Sequence, residues 1–151
     1  KDNDKLVETL VAYSRNAYRE VYMPILIKPA KNAVETVKKL QEDFDVAIAT
    51  NNPRDTTIKL LKILELDGIK TIVSSDDVEN PKPAPDVLVK AMKELNRAPE
   101  NCLYIGDSYL DVQAAKSAKI KIALVTHAYN KDLESNYRVN DLTQICSIAK
   151  N

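Results

Sequence analysis

The sequence predicts an α/β fold: a Rossmann-like parallel sheet flanked by helices. Short apolar runs recur along the chain, each followed by a stretch with apolar residues at helical spacing, and polar or proline-rich loops separate them. Strand and helix alternate at least three times, a pattern that implies right-handed crossovers between parallel strands. In such sheets ligands bind at the carboxyl ends of the strands, so functional side chains are expected directly after each strand.

Length and composition indicate a globular domain and exclude several functions. The chain has 151 residues, of which 44% are hydrophobic and 29% charged, and its 22 Lys and Arg balance its 22 Asp and Glu. We therefore expect neither nucleic acid, which favours a basic surplus, nor a membrane as partner, since no apolar run is long enough to span one. Cys102 and Cys146 form no CxxC motif and are typical of a reduced, cytoplasmic protein, and the lone His127 argues against structural zinc.

The first part of the sequence predicts two helices. Apolar residues between positions 6 and 22 recur at spacings of three and four, which predicts a long amphipathic helix ending near Pro24. A second helix is expected after Pro29, with Ala33 and Leu40 on its inner face. The chain opens with Lys1 and no signal segment follows, so we expect a processed product or a piece of a longer protein.

Strands and helices then alternate. Strands are expected at residues 46–50, 69–74, 103–105 and 120–126, the first of them buried on both faces. Helices are expected from about residue 55, with Ile58, Leu61 and Leu64 on the buried stripe, and over residues 87–95, 112–118 and 142–149. Gly68 and Gly106 are the only glycines, each a candidate for a position that only glycine fits, and Gly68 is expected to take a left-handed conformation after its helix.

Polar side chains follow three of these strands. Thr50 and Asn51 come after the first strand, Lys82 stands between prolines after the second, and Asp107 and Asp111 follow the third. A lysine neutralises a phosphate, hydroxyl and amide groups donate hydrogen bonds to it, and hard carboxylate oxygens suit Mg²⁺. Each residue alone has a structural explanation: Asp107, for example, would cap the next helix. Together, each at a strand end, they predict a site for a phosphate and a divalent cation.

The motifs around these residues resemble those of the haloacid dehalogenase superfamily of phosphohydrolases. IATNN is similar to its second motif, NPKPAPD to its third and YIGDSYLDVQAAKSA to its fourth, and the likeness runs from about residue 25 to residue 126. The nearest resemblance is to the phosphoglycolate phosphatase-like branch, which has a small helical cap. It implies that residues 1–24 are the C-terminal part of that cap and that residues 25–151 form the core.

The resemblance also implies roles for the five residues. Thr50 and Asn51 would bind the phosphoryl group of a small phosphorylated metabolite, and Lys82 would stabilise its charge. Asp107 would bind Mg²⁺ directly, and Asp111 would support that metal site, so that Lys82, Asp107 and Asp111 form the catalytic set.

The sequence departs from the family pattern in two ways. Lys119 stands where relatives usually have glycine. The first motif, an apolar strand ending in the nucleophilic aspartate, is missing. The resemblance therefore implies a C-terminal fragment of a Mg²⁺-dependent phosphatase that works through an aspartyl-phosphate. The first strand and the nucleophile would come from a missing N-terminal segment or a second chain, and this chain alone would be inactive.

Other readings of the same residues remain open. Gly106, Asp107 and Ser108 match the GDS signature of an esterase, with His127 as the only available base. The metal-free dehalogenases lack the first aspartate of the acidic motif, which Asp107 supplies here, and a receiver domain needs an acidic pair after its first strand. The strongest alternative is a non-catalytic phosphate-binding or metabolite-binding regulatory module of the same fold.

Overall fold

The computed structural model of the chain describes residues 28–66 and 68–150. The helices are α1 (Ala33–Asp43), α2 (Arg54–Ile63), α3 (Asp86–Glu94), α4 (Tyr109–Ala118) and α5 (Ile145–Ile148). The strands are β1 (Ala47–Ala49), β2 (Thr71–Val73), β3 (Leu103–Gly106), β4 (Lys121–Val125) and β5 (Tyr137–Val139). Within these residues no helix is long and apolar enough to cross a membrane. The cap predicted for residues 1–24 lies outside the described residues.

All pairs among the described strands are parallel, as the alternating pattern predicts. β1 pairs with β2, with Ala49 opposite Val73, and β3 pairs with β4, which pairs with β5. These pairings form a two-stranded and a three-stranded sheet, and no described strand joins β1 to β3. One edge of β1 and one edge of β3 therefore carry backbone groups that no described strand pairs.

Helices cover both faces of the three-stranded sheet. Successive side chains of a strand point to opposite faces. Ile122 and Leu124 of β4 accordingly pack against α3 and α4, whereas Ala123 packs with α1, β5 and α5. The buried residues that form the first of these clusters with β4 include Val73, Val87, Leu88, Ala91, Val112, Ala114 and Ala115. The sequence therefore predicts the layer order correctly.

β1 is less buried than its apolar sequence predicts. Every residue of β1 is half-buried, and Ile105 of β3 is 37% exposed, whereas the three central residues of β4 are buried. β4 has a strand on each side, but β1 and β3 each have a described neighbour on one side only. Incomplete lateral packing explains the extra exposure.

Several local expectations are wrong. Gly68 has no positive φ, and the left-handed residue after α2 is Glu65, with φ 55°. Ile58 faces outward and is 37% exposed, so it does not belong to the buried stripe. β5 was not expected, because Tyr-Arg-Val is too short for a periodic signal and owes its order to pairing with β4. The helix expected at residues 142–149 is a 3₁₀ turn followed by α5.

Candidate active site

Lys82 and Asp111 meet at the carboxyl end of the strands. The Lys82 ammonium donates hydrogen bonds to Asp111 Oδ1 at 2.8 Å, to the Tyr104 hydroxyl at 2.8 Å and to the Ala49 carbonyl at 3.3 Å. Their side chains are only 11% and 7% exposed. Three acceptors use the three N–H groups of the ammonium, so Lys82 is held in one orientation as a nearly buried cation.

The Ala49 carbonyl gives Lys82 a second role. The Thr50 amide donates to Val73 of β2, so the preceding carbonyl of β1 points away from β2, towards the open edge. Tyr104 belongs to β3, on the other side of that opening. Lys82 therefore links β1 of one sheet to β3 of the other, between which no described strand lies.

The Asp111 carboxylate is surrounded by donors. Oδ1 accepts from Lys82 and from the Tyr104 hydroxyl at 2.6 Å. Oδ2 accepts from the Asp107 amide at 3.1 Å and from the Ser108 amide and hydroxyl at 3.0 and 2.6 Å. Burial by itself raises the pKa of Asp111, but the hydrogen bonds from Lys82, Ser108 and Tyr104 outweigh it and hold that pKa well below its ordinary value. Asp111 is thus a buried carboxylate anion that organises the site.

Tyr104 is a site residue that the sequence reasoning missed. Its hydroxyl donates to Asp111 and accepts from Lys82. Burial, followed by the hydrogen bond to Asp111 and the charges of Asp111 and Asp107, raises its pKa, so the group stays protonated and remains a donor. The sequence does carry one signal for this role: Tyr104 is a hydroxyl-bearing residue in an otherwise apolar strand, two positions before Gly106.

Gly106 permits the close approach of Asp111. A Cβ atom at position 106 would lie 2.6 Å from Cβ and 2.8 Å from Cγ of Asp111, much closer than carbon atoms can approach. The expectation that this glycine occupies a position that no other residue fits is confirmed.

Asn51 contacts the backbone of Lys82. Its Nδ2 donates to the Lys82 carbonyl and its Oδ1 accepts from the Lys82 amide, both at 2.8 Å. Both ends of the amide therefore fix the proline-rich loop, and the predicted contact between Asn51 and substrate stays a prediction. Thr50 directly follows β1, and its Oγ1 accepts from the Asn52 amide at 3.1 Å.

Asp107 differs from Asp111 in having an exposed carboxylate. That carboxylate has no hydrogen bond or ion pair to the part of the chain that the structure describes. It does not cap α4, because Ser108 is the N-cap and forms a capping box with Asp111. The structural explanation of Asp107 as a helix cap is therefore wrong, and its side chain is free to bind a ligand.

Asp107 is the single exposed carboxylate of this motif. Over residues 28–66 and 68–150 no group of three or more His, Cys, Asp or Glu side chains is placed to hold a metal ion. A cation on Asp107 would therefore take its further ligands from outside these ranges, from water or from substrate. The hard oxygen of a carboxylate does suit Mg²⁺.

The geometry does not support the esterase reading. The Ser108 hydroxyl donates to Asp111, and the Nε2 of His127 donates to the Asp107 carbonyl at 2.8 Å. Nucleophile and base are therefore each engaged with another group, whereas an activated serine needs a hydrogen bond between them.

The chain belongs to the haloacid dehalogenase-like hydrolase family, whose sequence pattern matches residues 1–125. Its relatives place it among the phosphohydrolases of that family. It is 35% identical over 150 residues to "Pyrophosphatase PpaX" of Halalkalibacterium halodurans, a match that covers 95% of this chain and 69% of that protein. It is 28% identical over 157 residues to the protein of the same name from Bacillus cereus strain B4264, covering 99% of this chain and 72% of that one.

Solved structures share the fold. A HAD-superfamily hydrolase of subfamily IA, variant 1, from Geobacter sulfurreducens superposes with a TM-score of 0.77 at 23% identity. A HAD phosphatase from Thermococcus onnurineus superposes with a TM-score of 0.75 at 22% identity. The matches cover 87% and 83% of this chain and 60% of each of those chains. These structures confirm the predicted α/β fold class, and the family match over residues 1–125 confirms the predicted superfamily.

Proposed function

We propose that this chain carries the phosphoryl-binding and cation-binding parts of a Mg²⁺-dependent phosphatase for small phosphorylated metabolites. The contact between Lys82 and Asp111 carries the proposal. It brings together the third and fourth motifs of a hydrolase family at the sheet edge where ligands bind in folds of this class.

Lys82 supplies fixed positive charge in this proposal. Its ammonium is held by Asp111, Tyr104 and Ala49, so little reorganisation is needed when negative charge develops on a transferring phosphoryl group. The Thr50 oxygen accepts a backbone hydrogen bond, which leaves its hydroxyl proton to donate to a phosphoryl oxygen. Phosphoryl transfer depends mainly on such positioning and charge stabilisation.

Asp107 is the residue that we assign to Mg²⁺. Its carboxylate is exposed directly after β3, whereas the carboxylate of Asp111, four residues further along the chain, already accepts hydrogen bonds from Lys82, Tyr104 and Ser108. Asp111 would therefore act through the backbone of Asp107 and Ser108, which it binds. When bound, Mg²⁺ would neutralise charge on the phosphoryl oxygens.

The nucleophile, we infer, comes from an added segment that lies between β1 and β3. The open edges of these two strands, the exposure of Ile105 and the link through Lys82 support this inference. An aspartate at the end of such a strand would lie next to Lys82. Its carboxylate would attack phosphorus, the ester oxygen would leave and take up a proton, and water would then hydrolyse the aspartyl-phosphate.

Residues 1–24 remain assigned to a cap. Asn32, just before α1, donates to both carboxylate oxygens of Asp141 at 3.2 and 3.1 Å, and Asp141 follows β5 by two residues. The chain therefore enters the described region at the carboxyl end of the sheet. This entry point supports the proposal that residues 1–24 belong to a cap at the edge of the sheet that carries Lys82 and Asp107.

Two substrate classes are candidates in this proposal. The phosphohydrolase family favours a phosphomonoester, of which phosphoglycolate is one candidate. The relatives named as pyrophosphatases add inorganic pyrophosphate, a phosphoric anhydride, as a second candidate. Both present a terminal phosphoryl group, so the same Lys82 and Asp107 would serve either.

The test is phosphate release by the full-length protein that contains this chain. The panel holds 2-phosphoglycolate, several sugar phosphates and inorganic pyrophosphate, each with Mg²⁺ and with EDTA. We expect Mg²⁺-dependent turnover of at least one compound. No turnover of any of them would favour a binding module, and equal turnover with EDTA would exclude the cation.

A further inference from the structure

The Asp107 carbonyl is held by two side chains from the loop after β4. His127 Nε2 donates to it at 2.8 Å, and Asn130 Nδ2 donates to it at 2.8 Å. Because a carbonyl oxygen only accepts, the Nε2 of His127 carries a proton. The Nδ1 of the same ring accepts from the Tyr129 amide at 3.2 Å, so both ring nitrogens are engaged.

Asn130 lies between β3 and β4 at the point where the two strands stop pairing. Its Nδ2 also donates to the Val125 carbonyl at 2.7 Å, and its Oδ1 accepts from the His127 amide at 2.9 Å. The register pairs Gly106 with Leu124, so Val125 lies just beyond the last paired residues of the ladder. The amide of Asn130 takes the place of the next ladder bonds. It is 1% exposed, so these bonds are shielded from water.

The backbone of Asp107 is thus pinned on both sides while its carboxylate stays exposed. Its amide donates to Asp111, and its carbonyl accepts from Asn130 and His127. A free side chain on an immobilised backbone is the arrangement expected of a preorganised ligand.

We propose that Asn130 and His127 are positioning residues that hold Asp107 for its cation. This inference rests on the function proposed above and deepens it. Neither residue reaches the substrate in this role; both act through the carbonyl of Asp107. Residues that orient a metal ligand in this way contribute roughly 10-fold to 100-fold to metal affinity.

The exposed position of His127 makes it the residue to vary first. Removing its ring in His127→Ala leaves the buried core intact, and the amide of His127→Gln can still donate to the Asp107 carbonyl. Mn²⁺ binding to the full-length protein, titrated by electron paramagnetic resonance, reports affinity independently of turnover. We expect His127→Ala to weaken Mn²⁺ binding roughly 10-fold and His127→Gln to restore most of it.

Asn130→Ala tests the second positioning residue independently, and Asn136→Ala is its control. The Asn136 side chain accepts from the Ile122 amide at 2.9 Å, near the opposite end of β4. We expect Asn130→Ala to weaken Mn²⁺ binding more than His127→Ala does and Asn136→Ala to leave it unchanged.

Three outcomes would overturn the inference. Mn²⁺ affinity unchanged in His127→Ala would do so, as would equal losses in His127→Ala and His127→Gln. A wild-type protein that binds no Mn²⁺ would remove the inference together with the assignment of Asp107. If the wild type binds Mn²⁺ and His127→Ala binds it equally well, only the positioning role of His127 is contradicted, and the assignment of Asp107 to the cation stands.

Discussion

Lys82 Nζ lies 2.8 Å from Asp111 Oδ1, although the two residues are 29 positions apart. Lys82 comes from the loop after β2, and Asp111 from the first turn of α4. They meet because parallel strands deliver the residues that follow them to one edge of the sheet. The pair also joins two sheets that no described strand connects.

Asp111 and Asp107 should differ sharply in their effect on stability. Asp111→Ala leaves the Lys82 ammonium buried without its counter-charge, which costs about 3–5 kcal/mol of unfolding free energy. Asp107→Ala removes an exposed carboxylate and should change that free energy by less than about 0.5 kcal/mol while abolishing Mg²⁺ dependence. Urea denaturation of both variants checks this, and equal losses would contradict the distinction drawn between the two residues.

Stability should fall at acid pH partly through Asp77. Hydrogen bonds from Ser74 and the guanidinium of Arg54, 2.8 Å away, outweigh burial and lower the pKa of Asp77 from 3.8 to about 2. A carboxyl whose folded pKa is depressed stabilises the fold fully above its unfolded pKa, and this contribution is lost as pH falls from about 4 through about 2. The melting temperature of Asp77→Asn should therefore decline less over this range than that of the wild type. An equal decline in the two proteins would contradict this account of Asp77.

Gly106→Ala should disturb the site from within. The added methyl would lie 2.6 Å from Asp111 Cβ, so Asp111 or β3 must shift, at a cost of about 1–3 kcal/mol. Gly68→Ala is the matched control, because the nearest atom to its added methyl is Gln41 Nε2 at 4.0 Å. Thermal unfolding of the two variants compares them, and equal melting temperatures would show that β3 relaxes freely.

Lys119 should be replaceable with a gain in stability. It ends α4 in the left-handed conformation, with φ 57°, where a side chain costs about 1–2 kcal/mol and glycine does not. We expect Lys119→Gly to raise the unfolding free energy by up to about 1 kcal/mol, after the greater chain entropy of glycine is subtracted. Lys116→Gly, inside α4, should lower it by about 1 kcal/mol. A loss in both variants would contradict this account of the helix end.

Much of the fold could be predicted because its signals are local. The apolar periods and the loops predict four of the five described strands, whereas the left-handed conformation of Lys119 emerges only from the structure. β5 and the exposure of Ile58 could not be predicted from the sequence, because both depend on which elements pack beside them. The exposure of β1 likewise depends on a neighbouring strand, which its own residues do not encode.

The site was predictable as a set of residues but not as a set of contacts. Lys82, Asp107 and Asp111 stand out by type and by position after strands. The sequence does not reveal that the side-chain amide of Asn51 forms hydrogen bonds with the Lys82 backbone. Nor does it reveal that the Tyr104 hydroxyl accepts from Lys82 and donates to Asp111. Such contacts of 2.6–2.8 Å depend on how elements far apart in the chain pack against one another.

The central claim is that Lys82 stabilises the transferring phosphoryl group, and kcat of Lys82→Met with Mg²⁺ tests it most directly. The substitution removes the charge and keeps the length of the side chain. The double variant Lys82→Met/Asp111→Asn removes both charges of the pair, so that no buried charge is left alone. Measured on the full-length, folded protein, kcat should fall roughly 10²-fold to 10³-fold in both variants. A kcat within error of the wild-type value in the folded double variant would contradict the claim.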